Sequence, residues 1–303
     1  MKAMKEHLRP GTKMYGVVKT DAYGHGAVPV ARTIDRFVCG YAVATVDEGL
    51  KLRRHGIEKE ILSLGPVSAG RYQECLENDI SLPVFEYRRA KELSDAAVAE
   101  GKTAKIHIAV DTGMSRIGLF PDEGSVEIVK EIAELPALRI AGMFTHFARA
   151  DEADKTNAGE QYRRFREFCD DVKAAGVAVP VCHCSNSAGI AEIREANMDM
   201  VRAGITLYGL WPSEEVDQNS LDLKPVMELK THVAYVKDLE AGRAISYGGT
   251  FITKRDSRIA TIPVGYADGY CRGLSNTGSV LIHGKRAPIC GRVCMDQFMV
   301  DCD

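Results

Sequence analysis

The sequence predicts an α/β protein in two parts: a (β/α)8 TIM barrel over residues 1–222, then a smaller, incomplete all-β domain over 223–303. Short apolar runs alternate with helical patterns about eight times between Lys13 and Gly209, and that repetition over roughly 250 residues is the signature of the barrel. After Trp211 the texture changes, and strands follow one another without helices. The residues with chemistry to offer, among them Lys19, Asp111, His146 and Asn186, fall at or just beyond predicted strand ends. A barrel of this kind keeps its site there.

The barrel strands are expected at Met14–Lys19, Tyr41–Val46, Ile61–Gly65, Ser81–Phe85, Ile106–Asp111, Ile140–Phe147, Val181–Ser185 and Met200–Tyr208. Each is a short apolar run bounded by turn residues. Ala27–Arg36, Tyr87–Glu100, Val126–Leu135 and Gln161–Ala175 carry apolar residues at helical spacing; in Tyr87–Glu100 these are Ala90, Leu93, Ala97 and Val98. Ser213–Asp222 is polar and acidic and reads as a linker. Beyond Val226, strands are expected at Leu229–Val236, Ser246–Phe251, Ser257–Val264, Gly278–Ile282 and Ala287–Cys290.

Composition narrows the function. A formal net charge of −3 over 303 residues gives no basic footprint for nucleic acid or an anionic membrane. No apolar run is long enough to cross a bilayer. Met1–Lys13 is basic and polar, unlike a signal peptide. Nine irregularly spaced cysteines suit reduced thiols and a cytoplasmic setting. Cys182-His183-Cys184 invites a metal reading, but in a strand the cysteines face one way and the histidine the other, so no metal is expected.

The stretch Val17-Val18-Lys19-Thr20-Asp21-Ala22-Tyr23-Gly24-His25-Gly26 organises the rest. A lysine closing a buried strand would lie in a half-buried mouth, where desolvation favours the neutral, nucleophilic amine; otherwise it snorkels to the surface. The stretch resembles the pyridoxal 5'-phosphate (PLP) attachment motif of alanine racemases, whose lysine carries the cofactor. Further segments follow in that family's order. Asp111-Thr112-Gly113-Met114-Ser115-Arg116-Ile117-Gly118 is similar to the segment carrying a substrate-binding arginine, here Arg116. Phe144-Thr145-His146-Phe147 matches the histidine that stacks on the cofactor ring. Cys184-Ser185-Asn186-Ser187-Ala188 matches a phosphate-site segment. Val201-Arg202-Ala203-Gly204-Ile205 matches the arginine that bonds the pyridine nitrogen and the backbone N–H groups that meet the phosphate.

Ile245-Ser246-Tyr247-Gly248, Gly265-Tyr266-Ala267-Asp268-Gly269 and Cys294-Met295-Asp296-Gln297 complete the set.

The resemblance implies a PLP-dependent racemase that interconverts L- and D-alanine for cell-wall peptidoglycan. Proton transfer would use two bases, Lys19 on one face and Tyr247 of the partner subunit of a head-to-tail homodimer on the other. Lys19, Tyr23, His146, Asn186, Ser187, Arg202, Gly204 and Ile205 would hold the cofactor. Arg116, Tyr266, Met295 and Asp296 would meet the substrate, with Tyr266 narrowing its entrance. Arg116 and His146 are the cations expected to make Tyr247 basic.

Two departures bear on this expectation. Better-known members carry a carbamylated lysine where this chain has Ala109, which can offer Arg116 no charge. Both ends also look short beside the family, so the β domain reads as truncated. The alternatives are a serine racemase and a non-catalytic PLP-binding fragment. A fold-related decarboxylase or a single-domain PLP-binding regulator would lack the segments after Val226.

Overall fold

A computed structural model describes residues 1–303 as two compact units, Met1–Met227 and Glu228–Asp303. In the first, eight parallel strands form one sheet: β1 (Lys13–Val17), β2 (Gly40–Val43), β3 (Glu60–Ser63), β4 (Ile80–Val84), β5 (Ala104–Ala109), β6 (Leu138–Phe144), β7 (Cys182–His183) and β8 (Met200–Ala203). The sheet runs in chain order from β7 back to β1, and β1 then pairs with β8 at Lys13↔Met200. Bonds from Arg202 N to Ser185 O (3.0 Å) and Asp199 N to Cys182 O (3.3 Å) close β8 onto the β7 segment. This is the expected barrel.

Helices follow β1 to β7 in turn, at Ala27–Ile34, Val46–Arg54, Tyr72–Glu77, Tyr87–Ala99, Glu123–Glu134, Thr156–Ala174 and Ser187–Glu192. Strand alternation sends one set of side chains outward to meet them. On β5, Ile106 and Ile108 join the large core shared with the helices, whereas His107 and Ala109 point inward. On Tyr87–Ala99 the buried positions are Ala90, Leu93, Ser94 and Ala97, while Val98, expected on that face, is exposed. It lies one residue, about 100°, off the stripe.

The barrel interior has two characters. Tyr15, Val17, Ala42, Leu62 and Met200 fill one side as a small apolar cluster. Across from it, His107, His183 and Arg202 are buried together. Glycines make room for the large rings. A Cβ on Gly40 would meet Tyr15 Cε1 at 2.6 Å, and one on Gly142 would meet His107 Nδ1 at 2.6 Å and the Val181 carbonyl at 2.8 Å.

The predicted strands mostly overrun at their carboxyl ends. Residues 204–208, expected to continue the last strand, form instead a turn of 3-10 helix at Ile205–Tyr208. The apolar residues that follow a barrel strand line the mouth, and this extends the hydrophobic run past the hydrogen-bonded ladder. Ser213–Asp222 is not a free linker either: Val216 and Leu221 are buried in the barrel's core, and Ser213 Oγ donates to Asp151 O.

The second unit is an antiparallel sheet of five strands in the order β13 (Ser279–Ile282), β14 (Lys285–Cys290), β15 (Phe298–Asp301), β12 (Ser257–Ile262), β9 (Tyr235–Leu239). Ile262, Ile289, Phe298 and Val300 form its centre, with Tyr270 stacked on Phe298 at 4.8 Å. The strand expected at Leu229–Val236 begins only at Tyr235, and the residues before it are exposed. Ser246–Phe251, expected as a strand, is a tight turn between the short pair β10 (Ala244–Ile245) and β11 (Phe251–Ile252). Gly248 and Gly249 take positive φ there, which breaks the extended run. No helix of either unit is long and apolar enough to cross a membrane.

Gly142→Ala is expected to destabilise the barrel by about 1–3 kcal/mol, the usual cost of overpacking a dense interior. Urea denaturation reads this directly, and an unchanged midpoint would contradict the packing around His107.

Candidate active site

The chain leaves β1 through a turn whose conformation the sequence does not announce. Thr20, Asp21, Ala22 and Tyr23 all have φ between 50° and 56°, a left-handed helical turn built from residues other than glycine. Each costs about 1–2 kcal/mol relative to the right-handed form, so neighbours must hold the turn. Thr20 N and Ala44 N donate to the two carboxylate oxygens of Glu48, at 2.5 and 2.7 Å. Asp21 Oδ1 accepts from Ala27 N (3.0 Å) and Lys51 Nζ (2.8 Å). Glu48 is also the third residue of a capping box with Thr45. The sequence signal for it, Thr45-Val46-Asp47-Glu48, was there to be read.

This turn sets half-buried Lys19 at the wall of a cavity of about 240 Å³ at the carboxyl end of the strands. Arg116, His146 and Arg202 line the same cavity, Ala109 forms part of its wall, and no acidic side chain reaches it. The Arg116 loop is fastened by Asp111, whose Oδ1 accepts from Gly113 N (2.9 Å) and Ser115 N (3.0 Å). Asp111 therefore shapes the loop, while Arg116 has no ion pair within the chain.

Arg202 is only 2 % exposed. Its Nη1 donates to His183 Nδ1 (2.8 Å) and His183 O (3.1 Å). Its Nη2 donates to Thr145 O (2.7 Å), Cys184 O (3.1 Å) and His146 Nδ1 (3.1 Å). Every acceptor is neutral, so the positive charge is solvated by dipoles and not cancelled. Burial lowers the guanidinium to about 10, still charged at neutral pH.

Burial, with the charges of Arg202, Arg116 and Lys19, lowers His146 to about 3. The sequence expectation of a cationic His146 is corrected here: it stands among three cations and is neutral. Its Nδ1 must accept from Arg202, a donor-only group, which places its proton on Nε2.

Beside this cavity lies a second cluster. Ser187 Oγ accepts from Gly204 N (3.1 Å), Thr206 N (3.3 Å) and Thr206 Oγ1 (3.0 Å). A Cβ on Gly204 would lie 3.1 Å from Tyr23 Oη and 3.4 Å from Ser187 Oγ, so a cradle exists there because residue 204 is glycine. Thr206 belongs to it and was missed in the sequence, where a threonine after a strand carries no distinctive signal. The Asn186 side chain caps the following helix by accepting from Gly189 N at 3.1 Å.

The remaining predicted residues lie in the second unit, where hydrogen bonds draw three loops together. Ser246 Oγ donates to Arg292 O (2.8 Å), Tyr266 N to Cys294 O (3.0 Å) and Ala267 N to Met295 O (2.8 Å). Tyr247, Tyr266, Met295 and Asp296 are all exposed on these loops, Tyr247 to 72 %.

The mouth gathers a lysine, two arginines and a neutral histidine beside a polar cradle, an arrangement that can attract an anionic small molecule and offers it an amine. Comparison with known proteins gives the family. The alanine racemase N-terminal domain matches residues 1–212 and the C-terminal domain residues 226–303. The alanine racemase of Clostridium novyi is 49 % identical over 302 residues, covering 99 % of this chain and 78 % of that protein. That of Methanococcus maripaludis is 45 % identical, covering 99 % and 81 %. Among solved structures, the alanine racemase of Clostridium difficile 630 superposes with a TM-score of 0.93 at 40 % identity, covering all of this chain and 79 % of that one. The chain belongs to the alanine racemase family.

The buried histidines predict a pH dependence. His146 and, by burial beside Arg202, His183 titrate far below the ordinary histidine value near 6.5. As pH falls through that value, the unfolded chain takes up protons that the folded chain refuses, so stability declines. The urea midpoint is expected to drop between about pH 7 and 5, and less steeply in His146→Asn; equal slopes would contradict the neutral assignment.

Proposed function

We propose that this chain is a PLP-dependent racemase that interconverts L- and D-alanine. One observation carries the reading: Lys19, His146, Arg116 and Arg202 line a single cavity free of acidic side chains, with the Ser187–Gly204–Tyr23 cradle nearby. PLP is a phosphorylated pyridine aldehyde, and these residues fit it. Ser187 Oγ, Tyr23 Oη and the backbone at Gly204 and Ile205 would take the phosphate, and Lys19 Nζ the carbonyl carbon. Neutral His146 would lie against the ring.

When bound, PLP supplies an electron-withdrawing ring that makes the α-proton of an attached amino acid acidic. Lys19 Nζ would accept that proton on one face of the α-carbon. Tyr247 Oη of the partner subunit would return one on the other, in a head-to-tail homodimer; the wide exposure of Tyr247 supports a role outside its own unit. Two bases on opposite faces invert the centre, where one base alone would return the proton to the side it left. Arg202, charged and donor-only, would face the ring nitrogen and discourage its protonation. That weakens the ring as an electron sink and limits side reactions. Arg116 and the Met295 backbone N–H would bind the substrate carboxylate, with Asp296 beside it. Tyr266 would narrow the entrance to small side chains, which favours alanine. The product would feed peptidoglycan synthesis in the cytoplasm.

Lys19→Ala is expected to lose the cofactor absorbance of the loaded protein and at least about 10²-fold in turnover; a surviving band would remove Lys19 from its role. Tyr247→Phe is expected to slow α-proton exchange in heavy water from L-alanine far more than from D-alanine. Equal loss on both enantiomers would sink the two-base assignment.

A further inference from the structure

Behind the cavity, a chain of buried polar groups crosses the barrel interior toward the amino ends of the strands. Arg202 Nη1 meets His183 Nδ1 at 2.8 Å, His183 Nε2 meets His107 Nδ1 at 3.0 Å, and His107 Nε2 faces Glu60 Oε1 at 3.5 Å. These groups come from β8, β7, β5 and the first residue of β3. His183 is fully buried and His107 is 1 % exposed. His107 Nε2 makes no hydrogen bond in this geometry, and Glu60 is the carboxylate within ion-pair distance of it. The two rings meet edge to face with centroids 5.2 Å apart, and Phe144 stacks on His183 at 5.4 Å.

The ends of the chain fix everything between them. A guanidinium only donates, so His183 Nδ1 accepts and a neutral His183 carries its proton on Nε2. That proton points at His107 Nδ1, which must accept in turn, leaving the His107 proton on Nε2. Only an acceptor can face it, and Glu60 is one. Protonating either ring would set two donors against each other. As a carboxylate, Glu60 is acceptor-only. Ser81 Oγ donates to it at 2.9 Å.

We propose that Glu60, His107 and His183 are positioning residues that act through Arg202: a one-way relay, with Glu60 at the far end of the barrel, fixes which nitrogens of Arg202 are engaged and leaves Nε as the one without a partner in the chain. This rests on the reading of Arg202 as the group that meets the cofactor ring. Gly142 is part of the device, because any larger residue would displace the His107 ring. A purely apolar interior would pack equally well, but it would leave Arg202 Nη1 with one acceptor fewer and free to rotate.

The test compares Glu60→Ala, which removes the acceptor, with Glu60→Gln, which keeps an acceptor oxygen without the charge. Nitrogen NMR of histidine-labelled protein without cofactor is expected to show His107 and His183 as neutral, Nε2-protonated rings in the unaltered chain. In Glu60→Ala these signals are expected to become mixed tautomers, and in Glu60→Gln to return. In the loaded protein, Glu60→Ala is expected to shift the cofactor absorbance and lower kcat about tenfold with little change in KM, and Glu60→Gln to recover most of it. Unchanged tautomers in Glu60→Ala overturn the relay. Altered tautomers with unchanged absorbance and kcat overturn its action through Arg202. If the unaltered loaded chain fails to racemise alanine while its tautomers are as stated, the functional reading fails and the relay stands.

Discussion

Arg202 carries a permanent charge into a place that water scarcely reaches, and the barrel answers it with neutral acceptors in each direction its terminal nitrogens point. Leaving such a charge without hydrogen bonds would be costly, so the groups around it are constrained as a set. Carbonyls of Thr145, His183 and Cys184 must turn inward where the β6 and β7 strands end, and two histidines must stay neutral. At the end of the short β7 strand the carbonyls of His183 and Cys184 both accept from this guanidinium.

The same charge organises the cavity electrostatically. With Lys19 and Arg116 on its wall and no carboxylate among its lining residues, the mouth holds cations without partners. That arrangement is unfavourable in an empty protein and favourable around an anion. Ala109 deepens the imbalance, since Arg116 finds no charge across from it. A molecule bearing both a phosphate and a carboxylate would relieve it at two points.

Much of this was legible in the sequence. Strand order, the change of texture beyond Trp211 and the positions of Lys19, Arg116, His146 and Arg202 at the mouth follow from periodicity and from the family's segments. Three things were not. The ladders end before the apolar runs do, because hydrophobicity marks burial and not hydrogen bonding; Met200–Tyr208 shows this most clearly. The charge state of His146 depends on Arg202, Arg116 and Lys19, which lie far from it in sequence. The left-handed turn after Lys19 depends on Glu48 and Asp21, and local propensity argues against it at all four of its residues. The interior histidines were hidden for a related reason, as alternation says that His107 points inward but not what it meets.

That turn also bears on how the site can be re-engineered. Four successive residues in the mirror-image helical conformation leave no slack, and one inserted residue rotates everything after it. Diversity introduced at Thr20–Tyr23 would be spent mainly on unfolded variants. The walls at Leu64, Pro66, Met114 and Ile117 stand in loops with ordinary backbone, and a library meant to admit bulkier amino acids belongs there.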